Sequence, residues 1–224
     1  MKQLTVGEVV FEGLKRSETC CPYVMDGELN ARVHIGEISS ACFYHLHLLR
    51  QLRNITSSAI KQRLVSAFVL SRLYYCNSVL ACLPAATLEP LQTVINAAVR
   101  LVAGLGWRDH ITPAMRDLHW LPIVYRIKYK LCILMHAIAN NNSPEYITEI
   151  LVRNSSLQER AALRSFISGG YVVPRSKTEF GKRAFCVAGP TTWNELPPEL
   201  RNMPDFQTFK RALEPHLFHV AYVN

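Results

Sequence analysis

Residues 101–130 constrain the fold most strongly, because they place helix-ending and helix-starting signals between two stretches of helical periodicity. Gly104 follows an amphipathic pattern, and glycine readily adopts the left-handed conformation that ends a helix. Thr112 and Pro113 resemble an N-cap followed by proline at the first helical position. Pro122 marks a second start, so the stretch predicts a short helix followed by a long one. Two tryptophans bracket the short helix and are expected to anchor a compact corner, Trp107 and Trp120.

Helical periodicity extends on both sides of this corner. Apolar residues recur at spacings of three and four over residues 33–49, 88–102 and 123–138, which predicts amphipathic helices. Over residues 56–83 they cover most of the circumference, and a helix that is apolar nearly all round is usually buried. We therefore expect residues 56–83 to form the central helix of the core.

The C-terminal part of the chain changes character. Short β-like runs at residues 171–174 and 183–187 predict a small hairpin, and residues 206–217 predict a last helix. The expected fold class is therefore mostly α, with a helical bundle and a small α+β tail made of a β-hairpin and a helix. The expected division is a leader at residues 1–23, the bundle at 24–151, a linker at 152–170 and the α+β region at 171–219.

Composition favours a polyanionic partner and argues against a membrane protein. The chain has 25 Lys and Arg against 17 Asp and Glu, a net charge of +8. Such an excess favours nucleic acid, although a soluble basic surface explains it equally well. No apolar run reaches the roughly 18–20 residues of a membrane span, and the first residues do not form a signal peptide. We therefore expect an intracellular protein, in the cytoplasm or the nucleus, with its seven cysteines reduced.

The usual motifs of metal, nucleotide and hydrolytic sites are missing from the sequence. Cys42, His45 and His47 lie on one predicted helix without the paired spacing that zinc sites use. The acid–histidine pairs near residues 109 and 117 lack a nucleophile elbow. The sequence contains neither a P-loop nor a dinucleotide-binding glycine motif. We expect no metal, no cofactor and no small-molecule substrate.

Basic residues that alternate with aromatic residues are the remaining candidate for a binding site. Cations contact the phosphate backbone, and the bases of single strands stack on aromatic rings. On any helical protein, however, long cationic side chains also flank apolar stripes without binding anything. The candidate nucleic-acid-binding residues are Arg72, Arg108, Arg126 and Lys130, with Arg175 and Lys177 as a second group.

Two long stretches make the sequence recognisable. Residues 66–136, SAFVLSRLYYCNSVLACLPAATLEPLQTVINAAVRLVAGLGWRDHITPAMRDLHWLPIVYRIKYKLCILMH, resemble the C-terminal part of reverse transcriptases from LINE-type, jockey-like retrotransposons, which lack long terminal repeats. The segments VPRSKTEFGKRAFCVAGPTTWNELPPELR and FKRALEPHLF are similar to the end of the same reading frames. The resemblance covers residues 26–218 and implies that residues 33–103 correspond to the thumb, a helical region that grips the template–primer duplex.

The chain also departs from this family in ways that bear on activity. The family's RNA-directed DNA polymerase uses palm aspartates, including an aromatic-x-Asp-Asp turn, to hold two metal ions, and no Asp-Asp pair occurs here. Tyr74 stands where the family usually has aspartate. The resemblance therefore implies a truncated mobile-element protein that lacks the catalytic palm and is not an enzyme by itself. Weak, sequence-independent binding of RNA or an RNA–DNA duplex is expected. The alternative is a structural or interaction protein, or a non-functional relic of a mobile element.

Overall fold

A computed structural model of the chain describes residues 31–52, 56–154 and 169–223. These residues are mostly helical, as the sequence predicted, and they belong to two compact units. Of the described residues, unit 1 comprises 31–52, 56–75 and 89–111, and unit 2 comprises 76–88, 112–154 and 169–223. The predicted leader at 1–23 and most of the predicted linker at 152–170 lie outside the described residues.

Unit 1 is built from helices in the first half of the chain. Helix α1 is Arg32–Gln51, and α2 is Ser58–Val65. A π-helical turn, Ser66–Leu70, leads into α3, Ser71–Tyr74, and residues 89–103 of helix α4 (Ala85–Ala103) complete the unit. The Ser57 side chain accepts a hydrogen bond from the Ile60 N–H at 3.4 Å and so caps the start of α2. The buried apolar residues include Ile35, Cys42, Leu46, Val69, Leu73, Ile95 and Val99.

The predicted central helix over residues 56–83 is wrong in its length and in its burial. The helical run ends at Tyr74, and the backbone turns at Cys76, which has a left-handed φ of 50°. Ile60 and Phe68 are also exposed, so only one side of the run is buried. The apolar pattern around this helix therefore did not predict its burial, because the aromatic residues that contribute to the pattern lie at the surface.

Unit 2 is organised around one long helix, α6, Ile123–Ala139. Helix α6 contacts α9 (Phe185–Asn194), α11 (Phe206–Tyr222) and a short 3-10 turn, Asn77–Leu80. Pro122 immediately precedes α6, as the sequence predicted. The helices of this unit after residue 103 are α5 Ile111–Asp117, α6 Ile123–Ala139, α7 Glu145–Thr148, α8 Glu179–Lys182, α9 Phe185–Asn194, α10 Pro198–Arg201 and α11 Phe206–Tyr222.

Aromatic rings and a buried histidine form the centre of unit 2. The ring of His136 stacks on Phe209, with centroids 4.2 Å apart and planes inclined by 15°. Trp193 lies 5.8 Å from Phe209, and both are fully buried. His136 Nε2 lies 2.8 Å from the Met203 carbonyl oxygen, so the buried imidazole has a polar partner. Gly189 lets α9 approach α6 closely, because a Cβ there would lie 2.9 Å from the Met135 sulfur.

The predicted β-hairpin between residues 171–174 and 183–187 is not present. Tyr171 instead forms an isolated antiparallel bridge with Arg153, and the described residues contain no longer strand. Residues 185–187 begin helix α9. The Thr178 side chain caps α8 by accepting a hydrogen bond from the Gly181 N–H at 3.0 Å. This cap and the helical burial of Ala188 and Trp193 outweigh the β propensity of the short run.

Within the described residues, no helix combines the length and the apolar character needed to cross a membrane.

Candidate nucleic-acid interface

The loop at residues 104–110 follows directly from the end of helix α4. Gly104 has a left-handed φ of 70°, and the Leu105 N–H donates to the Arg100 carbonyl at 3.0 Å. This six-to-one hydrogen bond is the Schellman ending that glycine favours. The predicted helix end is therefore confirmed, and it directs the chain into an exposed loop.

Two local contacts fix the conformation of this loop. The Gly106 N–H donates to the Asp109 carboxylate at 2.7 Å, and the Arg100 guanidinium donates to the Gly106 carbonyl. Both the N–H and the carbonyl of this exposed glycine are therefore held by charged side chains. No motif in the sequence predicted these contacts of Arg100 and Asp109. The three-residue spacing from Gly106 to Asp109 is compatible with a local turn, but the reach of Arg100 has no sequence signal.

Trp107 is presented at the tip of this loop and is not a packing anchor. Its side chain is 78% exposed, so the prediction that it anchors a compact corner is wrong. The guanidinium carbon of Arg108 lies 4.6 Å from the centre of the Trp107 ring system. This distance is typical of a cation–π contact. An exposed tryptophan thus adjoins a cation on a loop whose backbone is held by hydrogen bonds.

Arg126 lies inside unit 2 and not on its surface. It is 2% exposed, and its Nε donates to the Leu121 carbonyl at 2.6 Å. Arg126 lies in the first turn of α6, where its side chain closes the preceding turn of the chain. A buried guanidinium cannot reach a phosphate group on a bound strand, so this candidate does not fit the role that the sequence suggested.

The other candidate cations remain at least partly accessible. Lys130 is exposed one helical turn after the buried arginine, and Arg175 and Lys177 are exposed in the segment that precedes α8. Arg72 is half-buried on α3 of unit 1. Burial raises the pKa of the Cys42 thiol to about 12, and the positive charge of Arg72 opposes this increase. Arg72 therefore lies close to the interior and is a weaker surface candidate than Arg108.

A second cation–aromatic pair is exposed in unit 2. The guanidinium carbon of Arg183 lies 4.7 Å from the ring centre of Phe180, whose side chain is exposed on α8. Lys182 of the same helix forms an ion pair with Glu179 at 2.5 Å. The nearby carboxylate offsets part of the positive charge here. Tryptophan also has a larger ring system than phenylalanine, so the loop of Trp107 offers the larger aromatic surface.

The described residues contain no group of three His, Cys, Asp or Glu side chains that could hold a metal ion. Comparisons with known proteins add no further assignment. No protein-family model, curated protein or solved structure matches the chain.

Proposed function

We propose that this chain corresponds to the thumb and downstream part of a LINE-type reverse transcriptase and binds RNA or an RNA–DNA duplex weakly, without sequence preference. The sequence resemblance supports the origin. The binding proposal is carried by one observation, the exposed pair of Trp107 and Arg108 on a hydrogen-bonded loop. No polymerase activity is proposed, because the sequence contains no Asp-Asp pair to hold the metal ions.

The chemistry of this pair suits a single strand or a frayed end of a duplex. A nucleic-acid base stacks on an aromatic face regardless of its identity, and an adjacent arginine attracts the phosphate backbone. The fixed loop lowers the entropic cost of binding, because its backbone is ordered before the strand arrives. Weak, sequence-independent affinity follows, since neither stacking nor phosphate contact reads the base edges.

Exposed cations elsewhere on the chain would add electrostatic attraction. Lys130, Arg175 and Lys177 are accessible, and the net charge of +8 favours association with any polyanion. Of the candidate nucleic-acid-binding cations, Arg126 is left out because it is buried. Arg72 is kept as a half-buried candidate.

The main test is Trp107→Ala, measured by fluorescence anisotropy with a labelled single-stranded RNA of mixed sequence. We expect the dissociation constant to rise about tenfold, because stacking contributes about 1–3 kcal/mol per base. Tyr146→Ala is the matched control, since Tyr146 is another highly exposed aromatic residue, 69% accessible, with no candidate cation assigned beside it. An equal effect of the two changes would show that the loop has no special role.

A charge-matched pair of variants tests the cations. One variant changes Arg108, Lys130, Arg175 and Lys177 to Gln, and the control changes four other exposed cations, Arg50, Arg63, Lys210 and Arg211. Each cation that contacts a phosphate adds about 0.7 to the salt dependence of binding to a single strand. The first variant should flatten the log–log slope by roughly two to three, and the control by less. Equal slopes would reduce the binding to general electrostatics.

An interaction protein is the second candidate function, and an exposed apolar stripe on helix α1 favours it. Phe43, Tyr44 and Leu48 of α1 and Leu52, the residue directly after it, are each more than 40% exposed. Contiguous exposed apolar side chains mark binding surfaces for proteins. Replacement of Tyr44 and Leu48 by Glu should leave RNA binding unchanged if the two functions are separate.

A further inference from the structure

Unit 2 contains a cavity of about 250 Å³, and the described residues that line it are rich in hydrogen-bond donors and include no acidic residue. Two arginines, Arg153 and Arg201, contribute to its wall, together with Tyr171 and the amides of Asn140 and Asn202. A water molecule occupies about 30 Å³ in the liquid. The cavity therefore has room for a small oxyanion and several waters, but is smaller than most drug-sized ligand pockets.

The backbone on one side of the cavity is held firmly by the Trp193–Asn194 pair of helix α9. The Trp193 indole N–H donates to the Gly169 carbonyl at 3.2 Å. The Asn194 side chain accepts from the Tyr171 N–H at 3.0 Å and donates to the Tyr171 carbonyl at 2.8 Å. On their other edge, residues 169–172 pair with the chain near Arg153, where the Val172 N–H donates to the Val152 carbonyl at 2.8 Å. Pre-ordered walls of this kind suit a binding site.

Arg201 has an unmet hydrogen-bonding requirement at this cavity. Its Nε is buried and has no hydrogen-bond partner among the described residues. Its guanidinium passes over Gly170, where a Cβ would lie 3.4 Å from one terminal nitrogen. Burial lowers the pKa of Arg201, while Glu199 opposes this shift. A partly buried guanidinium with a donor lacking an acceptor is destabilising unless an acceptor enters the cavity.

Two neighbouring residues also line the cavity, Tyr171 and Arg153. The Tyr171 hydroxyl is buried, and its O–H has no acceptor among the described residues. Burial raises the pKa of Tyr171 above its usual value, so the phenol stays protonated and able to donate at neutral pH. Arg153 donates to the Ala139 carbonyl at 2.8 Å, which holds its guanidinium 5.8 Å from the centre of the Tyr171 ring.

We propose that this cavity is an oxyanion site that binds inorganic phosphate or the phosphate of a phosphomonoester, with Arg201 and the Tyr171 hydroxyl as donors and Arg153 as a second positive charge. The phosphate oxygens supply the acceptors that these buried donors lack. The proposal is independent of the Trp107 loop and of nucleic-acid binding. The competing possibility is a cavity that holds only water, which can also satisfy buried donors.

The test is a titration of the full chain with inorganic phosphate at constant ionic strength, followed by calorimetry and by the thermal unfolding midpoint. We expect saturable binding at one site and a midpoint that increases with phosphate concentration. Arg201→Met should weaken binding at least about tenfold, because a charge-assisted hydrogen bond is lost. Arg211→Met, an exposed arginine of α11, should bind phosphate as the parent does. Acetate and glycerol phosphate in place of phosphate distinguish a carboxylate site from a phosphomonoester site.

A stability measurement without phosphate separates a binding role from a structural one. Arg201→Met should be at least as stable as the parent, because it removes a partly buried charge whose Nε has no partner. If this variant does not fold, Tyr171→Phe carries the test. It removes one hydroxyl and should weaken phosphate binding several-fold. Absence of saturable binding by the parent, or equal binding by the parent, Arg201→Met and Tyr171→Phe, would overturn the proposal.

Discussion

Trp107 and Trp120 lie thirteen positions apart in the sequence, yet their environments are opposite. Trp107 is 78% exposed in unit 1, and Trp120 is 6% exposed in unit 2. Arginines repeat the contrast, since Arg108 lies over an exposed ring and Arg126 is buried beneath the turn that precedes its helix. The burial of Trp120 was predicted from the sequence and is confirmed. Trp107 was predicted only to help anchor the compact corner, and that prediction was wrong.

The range of the contacts explains this difference. Every hydrogen bond that shapes the Trp107 loop joins residues no more than six positions apart. The turn at Trp120 is held by the far end of the chain, because the Tyr222 hydroxyl donates to the Trp120 carbonyl and the Arg116 guanidinium donates to the Tyr222 carbonyl. Local hydrogen bonds can fix a loop without burying it. Burial of a large side chain requires partners from distant sequence.

The largest effect should come from removing the two tryptophans separately. Trp120→Ala should lower the free energy of unfolding by about 3–5 kcal/mol, the usual cost of emptying a large aromatic site. Trp107→Ala should change it by no more than about 0.5 kcal/mol, as expected for an exposed side chain. Urea unfolding followed by circular dichroism measures both values. Coinciding midpoints for the two variants would contradict the comparison.

Replacing Arg126 and Arg108 should show the same contrast in the free energy of unfolding, with a smaller difference between the two variants. Arg126→Met removes the donor to the Leu121 carbonyl, and an unsatisfied buried acceptor costs about 1–3 kcal/mol. Arg108→Met should stay within about 0.5 kcal/mol of the parent. Lys130→Met serves as a control on the same helix as the buried arginine, because Lys130 is exposed. If Arg126→Met and Lys130→Met unfold at the same urea concentration, the buried arginine does not stabilise its turn.

The smallest effect should come from the long-range hydrogen bond itself. Tyr222→Phe removes the donor to the Trp120 carbonyl and should cost about 1 kcal/mol. Burial raises the pKa of Tyr222 to about 12, against the charges of Arg126 and Arg116. An unfolded tyrosine titrates near pH 10. The contribution of the protonated Tyr222 phenol to the free energy of unfolding should therefore be fully present below about pH 10 and disappear as the pH rises towards about 12.

The pH dependence gives this last prediction a distinct measurement. The parent should unfold at a higher urea concentration than Tyr222→Phe at neutral pH, and the difference between the two urea midpoints should narrow at alkaline pH. Tyr146→Phe is the control, because Tyr146 is exposed and should show no difference from the parent at neutral pH. A separation that stays constant over the alkaline range would mean that folding does not hold the Tyr222 phenol in its protonated form.

Sequence patterns predicted the long helices better than the tail. Helices α1, α4, α6 and α11 match predicted periodic stretches, because one buried stripe is enough to reveal a helix. The tail was misjudged, since short runs such as residues 183–187 suit a strand or a helix equally well. Tertiary contacts then decide between them. Trp193 and Asn194, adjacent on α9, both bind the backbone of residues 169–171.

The candidate interface was only partly predictable. The sequence indicated that Arg108 lies beside an aromatic residue, and their contact at 4.6 Å agrees with this. It also grouped Arg126 with Lys130, although only Lys130 is exposed. Two residues four positions apart on a helix share a face only approximately. Near the edge of an apolar stripe, a small rotation places one side chain inside and leaves the other in solvent.

The sequence by itself determined where several helices begin and end. Gly104 ends α4 with a left-handed residue, Pro122 precedes α6, and Asp205 caps α11 by accepting a hydrogen bond from the Thr208 N–H at 2.7 Å. These signals act within a few residues and need no tertiary partner. Only the tertiary structure decided which tryptophan and which arginine are buried. It also paired Tyr171 with Arg153 and placed Arg201 at a cavity. The partners that settle these positions come from distant parts of the chain, and side-chain periodicity carries no information about them.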